Sequence, residues 1–512
     1  MSSRSGRFLH SVVSGYALIG AQTAVGLLSV PLVLAYLPRR EFGLWILVSQ
    51  VGIFISMVDA GLSTSVSRLL TDARRKMDDA GYARYVKTCW VAQTVQGGCA
   101  FLLGCVLSVS AAGLFGVDVD LHGPFRNLLL CQALLVGLGF ATRIVDLQLY
   151  SLQHQFVSNY AQVAGALVSL GLLAWGLQAG WGLYSLPAGA LASWGLVSSV
   201  RWVASRRLTL WPRGVMSAPW SLRELRGTSA MGRDVFLVAL GSQLILSSQA
   251  IILTRACGVD TAAVWAVATR VGFLMVQMVW MFFDQSMPAL FEMAAQGERD
   301  RLGGRFRELT TVCACLGAIV AVLFACSNGP LLQIWTRGVV AWPDRNNALF
   351  GCWLFLLAAF HPHTMCVIVT KQIGFMRWIY LFEGATSTLL SLAAVRVWGL
   401  SGMIVCFLVS SLVFHGPYGL MRSRREFGLS WRELAMDWYR PALTLAMVLV
   451  VVGYPLQRWT AAEGGRWLQL IVPAAAVASI GMALLPWVGL SSGSRRLVLQ
   501  RAADVWRRVR PS

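Results

Sequence analysis

Charged side chains inside apolar segments are the residues of this sequence that could do chemistry. The clearest is Arg270, about nine residues into the apolar segment 261–290 and roughly 13 Å from its outer end at about 1.5 Å per residue. No acidic residue lies three or four positions away. An ionisable group inside a bilayer costs roughly 2.5–3.5 kcal/mol and indicates function. We predict that Arg270 binds an anionic group such as a pyrophosphate or an acidic sugar; the alternative is a structural hydrogen bond to another helix.

Three acidic residues and a second arginine lie inside other apolar segments. Arg143 and Asp146 are one helical turn apart, which predicts an i,i+3 ion pair and, as the alternative, a substrate contact or a gate. Asp59 is followed by Gly61, which permits close helix approach. It is expected to pair with a cavity arginine or with the basic linker, either as a structural contact or as part of a gate. Glu383 is an isolated glutamate. It either binds a coupling proton or remains a neutral, hydrogen-bonded carboxylic acid.

Uncharged and boundary residues extend the candidate set. Arg255, with Arg39 and Arg40, lies at the outer helix ends and either anchors lipid headgroups or marks the mouth of a pathway. His361 and His363 flank a proline and either titrate or satisfy the backbone that the proline interrupts. Five amide side chains could bind sugar hydroxyls: Gln22, Gln50, Gln243, Gln249 and Gln277. The rings of Trp265 and Trp280 could stack on sugars. For all of these residues the alternative is helix packing.

Membrane helices must position these residues. The chain is 56% hydrophobic and only 13% charged, whereas a soluble chain carries about 25% charged residues. Apolar runs of about 18 residues or more are membrane-helix candidates. We predict fourteen, at 9–37, 42–65, 88–115, 125–149, 158–178, 181–203, 234–257, 261–290, 309–335, 347–370, 375–397, 400–421, 440–457 and 467–490.

The charge pattern orients these helices. Net charge is +20, and most of the 43 Lys and Arg residues lie in segments that are cytoplasmic if the N-terminus is inside. This positive-inside pattern predicts both termini in the cytoplasm. The basic charge is explained by topology and by contact with anionic lipids rather than by nucleic acid. The eleven cysteines lie mostly in apolar runs with no metal-ligand spacing, so neither a disulfide framework nor a zinc site is expected. No organic cofactor and no catalytic residue are predicted.

The loops divide the chain. All predicted outer loops are short, which excludes the large extracytoplasmic loops that membrane glycosyltransferases and polymerases use for catalysis. The longest inner loop is basic and contains two prolines, as an inter-domain linker does. The predicted organisation is an N-lobe at 1–203, a linker at 204–233, a C-lobe at 234–421, two further helices at 422–490 and a basic amphipathic tail at 491–512 that either lies on the inner membrane surface or is solvated.

A repeat relates the two lobes. Gly20-Ala21-Gln22 recurs as Gly241-Ser242-Gln243, and Trp45 and Val51-Gly52 recur as Trp265 and Val271-Gly272, about 220 positions later. Repeats of membrane bundles predict a two-lobed transporter with its pathway between the lobes. In this alignment Gln50 corresponds to Arg270, so the symmetry is broken in the middle of the membrane.

Several motifs resemble a known superfamily. They are Tyr36-Leu37-Pro38, Glu41-Phe42-Gly43-Leu44-Trp45, Asp59-Ala60-Gly61-Leu62 leading to Arg68, the pattern Ala266, Ala268, Arg270 and Pro288, and Gly329-Pro330-Leu331-Leu332-Gln333-Ile334-Trp335. Together they resemble the polysaccharide-transport branch of the multidrug/oligosaccharidyl-lipid/polysaccharide exporter superfamily, which includes O-antigen and exopolysaccharide repeat-unit flippases. The resemblance implies an all-α polytopic protein of two pseudo-symmetric six-helix bundles in a V, plus helices 13 and 14.

The resemblance also implies a function. Such flippases move undecaprenyl-pyrophosphate-linked oligosaccharides from the inner to the outer leaflet of the bacterial cytoplasmic membrane by alternating access, driven by a coupling proton or sodium ion or by neither, beside other polysaccharide assembly proteins. A cation-coupled drug exporter of the same superfamily is the first alternative. Its members usually carry a coupling carboxylate in helix 1 or 7, whereas here no acid lies between Arg7 and Arg39 and helix 7 has only Asp234 at its inner end. The peptidoglycan-precursor flippase of the same superfamily has arginines clustered in its first two helices, whereas here that region has none before Arg39 and Arg40. A membrane glycosyltransferase, a polymerase and a non-transporting scaffold are the remaining alternatives.

Overall fold

The computed structural model describes residues 4–63, 66, 70, 73–74, 77–152, 154–221, 232–369, 374–490, 493, 495–496 and 500. Arg68, residues 222–231 of the predicted linker and nearly all of the predicted tail 491–512 lie outside this part of the chain. Within it, all regular secondary structure is helical.

The helices follow the apolar runs of the sequence. They are α1 (Arg4–Tyr36), α2 (Arg39–Ser56), α3 (Asp79–Phe115), α4 (His122–Ser151), α5 (Gln155–Gln178), α6 (Ser185–Arg207), α7 (Gly232–Leu246), α8 (Gln249–Cys257), α9 (Val259–Asp284), α10 (Met287–Gln296), α11 (Arg299–Trp335), α12 (Asp344–Val369), α13 (Met376–Val413), α14 (His415–Phe427), α15 (Arg440–Ala462) and α16 (Arg466–Val488). A π-helical segment, Leu434–Tyr439, leads into α15.

Each of the fourteen predicted segments overlaps one of these helices or a pair of them, although 42–65 runs past the end of α2 at Ser56. Among the described residues, eleven helices are long and apolar enough to cross a membrane, or twelve if the bent pair Phe236–Leu246 and Gln249–Cys257 is one span. Segments 375–397 and 400–421 meet within α13 at Gly399, whose non-helical backbone angles of φ 60° and ψ −147° separate two helical stretches, as predicted. Segment 181–203 corresponds to α6, which is helical but is not among the eleven. The predicted all-α polytopic fold is confirmed.

The chain divides into two compact units, Met1–Ala263 and Val264–Ser512. The predicted lobes, 1–203 and 234–421, are defined differently and stay predictions. In the first unit, α1 packs on α5, α3 on α4 and α5 on α6. In the second unit, α11 is the central helix and packs against α12, α15 and α16.

Small residues set the helix crossings in both units. A Cβ on Gly97 of α3 would lie 2.5 Å from the carbonyl oxygen of Gly137 on α4. A Cβ on Gly317 of α11 would lie 2.7 Å from the Cβ of Ala358 on α12. Lipid tails are as apolar as side chains, so membrane helices associate by this close van der Waals packing rather than by the hydrophobic effect. The two crossings fix α4 and α12, which carry several of the candidate residues.

Two helix breaks present backbone N–H groups to side chains elsewhere in the chain. The axis bends by 40° between α7 and α8, at Ser247 and Ser248. The second break is at Phe414, whose backbone angles of φ −105° and ψ −91° separate α13 from α14. Each break leaves N–H groups at the start of the next helix without a partner in that helix. In both places the side chain of a predicted site residue accepts a hydrogen bond from one of these N–H groups.

Candidate functional site

Helix α9 carries a polar stripe within the second unit. Arg270, Gln277 and Asp284 are spaced by seven residues, which at about 3.6 residues per turn places them nearly above one another on one face of the helix. Arg270 is half-buried, and Gln277 and Asp284 are exposed. We call these three residues the polar stripe. It extends from the middle of the span to the end of the helix that the loop charges predict to be cytoplasmic.

Among the described residues, Arg270 is a cation without a structural partner. Its Nε–H group is buried and donates to no hydrogen-bond acceptor among the described residues. Across the described part of the chain, no carboxylate oxygen lies within 4.0 Å of its guanidinium. Buried polar atoms are nearly always hydrogen-bonded in folded proteins, so an unsatisfied one indicates a bound water, ion or ligand. The predicted alternative, a structural hydrogen bond to another helix, is absent among these residues.

The inner end of the polar stripe forms an aromatic and ionisable cluster. The Nε2 atom of His361 lies 2.8 Å from Oδ1 of Asp284. Trp280 stacks on the imidazole at a centroid distance of 5.1 Å and donates its Nε1–H to the carbonyl of Leu357. His363, two residues on, contacts the hydroxyl of Ser423 at 2.7 Å. Both histidines therefore contact side chains, and not the backbone that Pro362 interrupts.

Two ion pairs lie close together in the first unit. Arg143 on α4 is 3.7 Å from Asp59, and its side chain is 40% exposed. Asp146, one turn on, pairs instead with Arg201 of α6 at 3.1 Å. The hydroxyl of Ser158 donates to Asp146 at 2.6 Å and accepts from Nε of Arg201 at 2.9 Å. The predicted i,i+3 ion pair between Arg143 and Asp146 is wrong, because each has a closer partner on another part of the chain.

Asp59 is held in place by a turn at the end of α2. Ala60 and Gly61 both have positive φ, at 46° and 77°, so the chain reverses directly after the carboxylate. The hydroxyl of Ser63 donates to Oδ1 at 2.5 Å, and Gln96 donates to the Asp59 carbonyl at 3.1 Å. The predicted arginine partner of Asp59 is thus Arg143. The geometry leaves that arginine weakly paired and accessible.

Glu383 is buried but is not isolated. Its Oε1 atom lies 2.7 Å from Nδ1 of His415, and its Oε2 atom accepts the backbone N–H of His415 at 3.2 Å. The side chain is fully buried. Its bond to the backbone N–H of His415 gives a partner to the first N–H of α14. Tyr380 and Phe360 pack against the imidazole. The prediction of a lone glutamate is wrong because its partner lies beyond a helix break.

The predicted amides divide into bonded and exposed residues. The side-chain oxygen of Gln50 accepts the N–H of Ala250 at 3.3 Å and so satisfies the start of α8. Gln243 accepts from the hydroxyl of Ser247 at 2.6 Å, one turn along the same helix. Gln22 is exposed on α1. Gln50 therefore stabilises the helix break through this bond. The bond gives a structural reason for a glutamine at the position that corresponds to Arg270 in the repeat.

The predicted outer arginines differ in their pairing. Arg40 bonds Asp118 and Asp120, each at 3.0 Å. Arg255 is exposed at the end of α8, with its Cα 3.5 Å from where a Cβ on Gly116 would be. Trp265, by contrast, is buried against Trp342 and Phe350, as the packing alternative for that residue predicted. No group of three or more metal-binding side chains occurs among the described residues.

Sequence reasoning missed three partners: Asp284, Arg201 and His415. Each lies far along the chain from the residue it contacts. The sequence shows that each has an ionisable side chain, but it does not show which residue each one contacts. The structure brings together a half-exposed arginine with an acid in the first unit, and an unpaired arginine on a polar stripe in the second. Guanidinium groups of this kind bind phosphate or carboxylate oxygens through parallel hydrogen bonds. The binding, coupling and gating roles of these residues stay predictions.

Comparison with protein-family models and with curated protein sequences returns no match. Solved structures of transporters share the fold. The chain is similar to the lipid II flippase MurJ in an inward closed conformation, with a TM-score of 0.70 and 10% identity over 95% of this chain and 100% of that chain. A multidrug resistance MATE family transporter of the MOP superfamily, in its inward-facing conformation, gives a TM-score of 0.69 and 13% identity over 81% and 96%.

A Vibrio cholerae MATE transporter in its bent form gives a TM-score of 0.52 and 16% identity over 84% of this chain and 96% of that chain. All three comparisons span nearly the whole length of the other protein. Identities this low establish the fold and not the cargo. The chain therefore has the helical fold shared by the flippase MurJ and the MATE transporters, as the resemblance at superfamily level predicted.

Proposed function

We propose that this protein is a flippase that moves a lipid-linked oligosaccharide from the inner to the outer leaflet of the bacterial cytoplasmic membrane. The lipid is an undecaprenyl pyrophosphate, and its tail stays in the bilayer while the headgroup crosses. The step is translocation by alternating access, with no covalent chemistry. The product serves surface polysaccharide synthesis, so other polysaccharide assembly proteins are the expected partners. Both termini are expected in the cytoplasm.

The unpaired cation Arg270 is the observation that carries this proposal. Its buried Nε has no partner among the described residues. A buried guanidinium is costly unless something anionic binds it at some stage of the cycle. A pyrophosphate diester supplies such oxygens, whereas a cationic drug would be repelled. An anionic cargo is therefore the simplest explanation of this residue.

The polar stripe supplies a path for the headgroup. Gln277 and Asp284 are exposed below Arg270 on the same face of α9. In the first unit, Arg143 is 40% exposed and only 3.7 Å from Asp59, a long ion pair that an incoming phosphate could replace. We propose that Arg143 meets the headgroup on the inner side and that Arg270 holds it in mid-membrane. Exposed hydrogen-bonding side chains such as Gln22 would contact sugar hydroxyls.

The test is translocation of a fluorescent undecaprenyl-pyrophosphate oligosaccharide in proteoliposomes, read by accessibility of the sugar to an external glycosidase. The variants are Arg270→Gln, which copies the residue at the equivalent repeat position, and Arg270→Lys. Loss of a charge-assisted hydrogen bond is worth about 1.5–3 kcal/mol, so Arg270→Gln should slow translocation by roughly 10- to 150-fold. Arg270→Lys should lose less, because it keeps the charge without the fork geometry.

Arg396→Gln is the matched control, because Arg396 is an exposed arginine of the same unit outside the polar stripe. It should translocate normally. Wild-type rates in a well-folded Arg270→Gln protein would contradict the proposed role of Arg270. In cells, loss of the chain should deplete surface polysaccharide, and neighbouring genes for glycosyltransferases and a chain-length regulator are expected.

A cation-coupled small-molecule exporter is the second candidate. The ionisable pairs Asp284–His361 and Glu383–His415 favour it, since each joins a carboxyl group to an imidazole within the helical region. The coupling ion would be a proton or sodium ion. This candidate predicts drug sensitivity with unaltered glycans on deletion, the opposite of the flippase proposal. A glycosyltransferase or polymerase fits less well, because all predicted outer loops are short.

A further inference from the structure

A large apolar cleft opens on the second unit, away from the polar stripe. It has a volume of about 890 Å³ and lies between α11, α12 and α15, with the end of α13 as its fourth wall. Ligand sites in proteins are commonly about 300–1,000 Å³, so this cleft is large enough for an extended chain. Its apolar lining includes Ala318, Ala325, Phe355, Leu408, Leu412 and Leu443.

Small residues create the cleft. A Cβ on Gly351 would lie 2.7 Å from the carbonyl oxygen of Ala321, so α11 and α12 are nearly in backbone contact at the floor. Alanines line the adjoining wall formed by α15, at Ala446 and Ala461. Larger side chains at these positions would fill the space. The cleft therefore follows from the residue types along three helices.

Two arginines stand at one end of the cleft. Arg345 lies at the start of α12 and Arg458 near the end of α15, and both line the cavity. Nη2 of Arg458 donates to the hydroxyl of Tyr454 at 2.7 Å. Within the described residues, neither guanidinium has a carboxylate oxygen within 4.0 Å, although Asp344 also lines this end. The lining therefore combines an apolar trough with a net positive, hydrogen-bonding end.

We propose that this cleft binds an anionic glycerophospholipid, with one acyl chain along the apolar walls and the phosphate at Arg345 and Arg458. An acyl chain gains little by leaving other lipid tails for an apolar groove. Selectivity must therefore come from the headgroup, and basic residues at a membrane surface each favour anionic lipid by about fivefold. The loop charges predict that this end faces the outer leaflet.

The proposal is independent of the flippase function, because it uses none of the residues of the polar stripe or of the first-unit ion pairs. A polyprenyl phosphate has a similar polar end but a longer, methyl-branched chain. The cleft is assigned to the glycerophospholipid because its volume of about 890 Å³ suits one acyl chain better than the longer polyprenyl chain. Binding of undecaprenyl phosphate is accordingly an outcome that the test must separate.

The test is native mass spectrometry of the purified full chain, titrated in separate experiments with phosphatidylglycerol, phosphatidylcholine of the same acyl chains, and undecaprenyl phosphate. We expect roughly 5- to 25-fold tighter binding of phosphatidylglycerol than of phosphatidylcholine, about fivefold for each arginine. The double variant Arg345→Ala/Arg458→Ala should bind the two phospholipids equally. Ala325→Phe, which fills the trough, should weaken both. Arg466→Ala, an exposed arginine at the start of α16 outside the cleft, is the matched control and should bind as the wild type does.

Equal binding of the two phospholipids by the wild type would overturn the proposal. So would undiminished selectivity in the double variant, which is expected to fold because both arginines are exposed. Tighter binding of undecaprenyl phosphate than of phosphatidylglycerol, lost in the Ala325→Phe variant, would assign the cleft to the substrate lipid instead. Failure of Arg270 variants in translocation would leave all of these binding results unaffected, so the two proposals are separable.

Discussion

Charged residues within the membrane helices differ in how far they are neutralised. Asp146 pairs with Arg201 and accepts a hydrogen bond from the hydroxyl of Ser158, which in turn accepts one from Arg201, so the three side chains form a closed network. Glu383 is matched by His415. Arg270 has no such partner among the described residues. An unpaired charge is costly in a bilayer. The contacts of Asp146 and Glu383 explain these residues structurally, whereas Arg270, without such a contact among the described residues, indicates a bound ligand.

The two ion pairs of the first unit should differ in strength. Asp59 and Arg143 are 3.7 Å apart with the arginine 40% exposed, so a double-mutant cycle should give about 0.2–1 kcal/mol. Asp146 and Arg201 are 3.1 Å apart and only 30% and 18% exposed, and the same cycle should give roughly 1.5–3 kcal/mol. The cycles use Asn and Gln replacements and thermal unfolding in detergent. Equal coupling energies would contradict the expected difference between the long, exposed pair and the short, more buried pair.

Glu383 should matter for stability whatever its role in coupling. Glu383→Gln keeps the size of the side chain but weakens its bonds to the imidazole and backbone N–H of His415. We expect a loss of about 1.5–3 kcal/mol in the free energy of unfolding. Ser387→Ala, at a buried position of the same helix, is the control and should lose about 1 kcal/mol. If Glu383 also carries a coupling proton, the Gln variant should transport equally fast with and without a pH gradient.

Residue types could be predicted from the sequence, but residue partners could not. A carboxyl group in an apolar run is a local feature, so Asp59, Asp146 and Glu383 were found. Their partners depend on how distant helices cross: His415 is 32 positions from Glu383 and lies beyond a break in the helix. The nearest charge in sequence, Asp146 for Arg143, was the wrong partner. One turn along a helix permits a contact without requiring it.

At the scale of helices, the repeat is explained by packing. Gly52 of α2 and Gly272 of α9 occupy equivalent positions, and both lie where a Cβ would clash. The first would lie 2.5 Å from the side chain of Gln132, and the second 2.9 Å from those of Leu354 and Phe350. The same glycine is thus needed twice although its neighbours differ. Close helix approach preserves glycine, while the residues that face it are free to change.

A second glycine of α2 should control how closely the outer ends of the first-unit helices pack. A Cβ on Gly43 would lie 2.0 Å from the carbonyl oxygen of Val259, a backbone atom that cannot move alone. Gly43→Ala should therefore strain this contact by about 1–3 kcal/mol. Cys257 is exposed beside it at the end of α8. Because Cys257 is already exposed, its labelling by a membrane-impermeant maleimide, located by peptide mass mapping, should rise modestly above that of the wild type.

Gly113→Ala is the matched control for this experiment, because a Cβ there has nothing within 4 Å. Its Cys257 should be labelled as in the wild type. An unchanged labelling rate in a folded Gly43→Ala protein would show that the contact adapts without opening. A rise in both variants would indicate a general loosening of the first unit.

At the scale of the molecule, the helices could be predicted well because an apolar run of sufficient length is visible in the sequence itself. The fold class and the superfamily resemblance followed from those runs and from loose motifs. The division into lobes is a different matter. Contacts group residues 232–263 with the first unit, and one reason is the bond between Gln50 and Ala250, which joins positions far apart in the sequence. Such contacts depend on conformation, which the apolar runs do not encode.

The orientation of the whole chain is the last prediction, and it rests on charge alone. Most of the 43 basic residues lie in loops that are cytoplasmic if the N-terminus is inside. Basic loops are retained on the cytoplasmic side of the membrane during insertion. Truncations fused to alkaline phosphatase, which is active only outside, should be inactive after Ser217 and after Ser512 and active after Val339. Fusions to a fluorescent protein that matures only in the cytoplasm should give the inverse pattern. Phosphatase activity after Ser512 combined with inactivity after Ser217 would mean an odd number of crossings between them, and one of the fourteen predicted helices would then lie along the membrane surface.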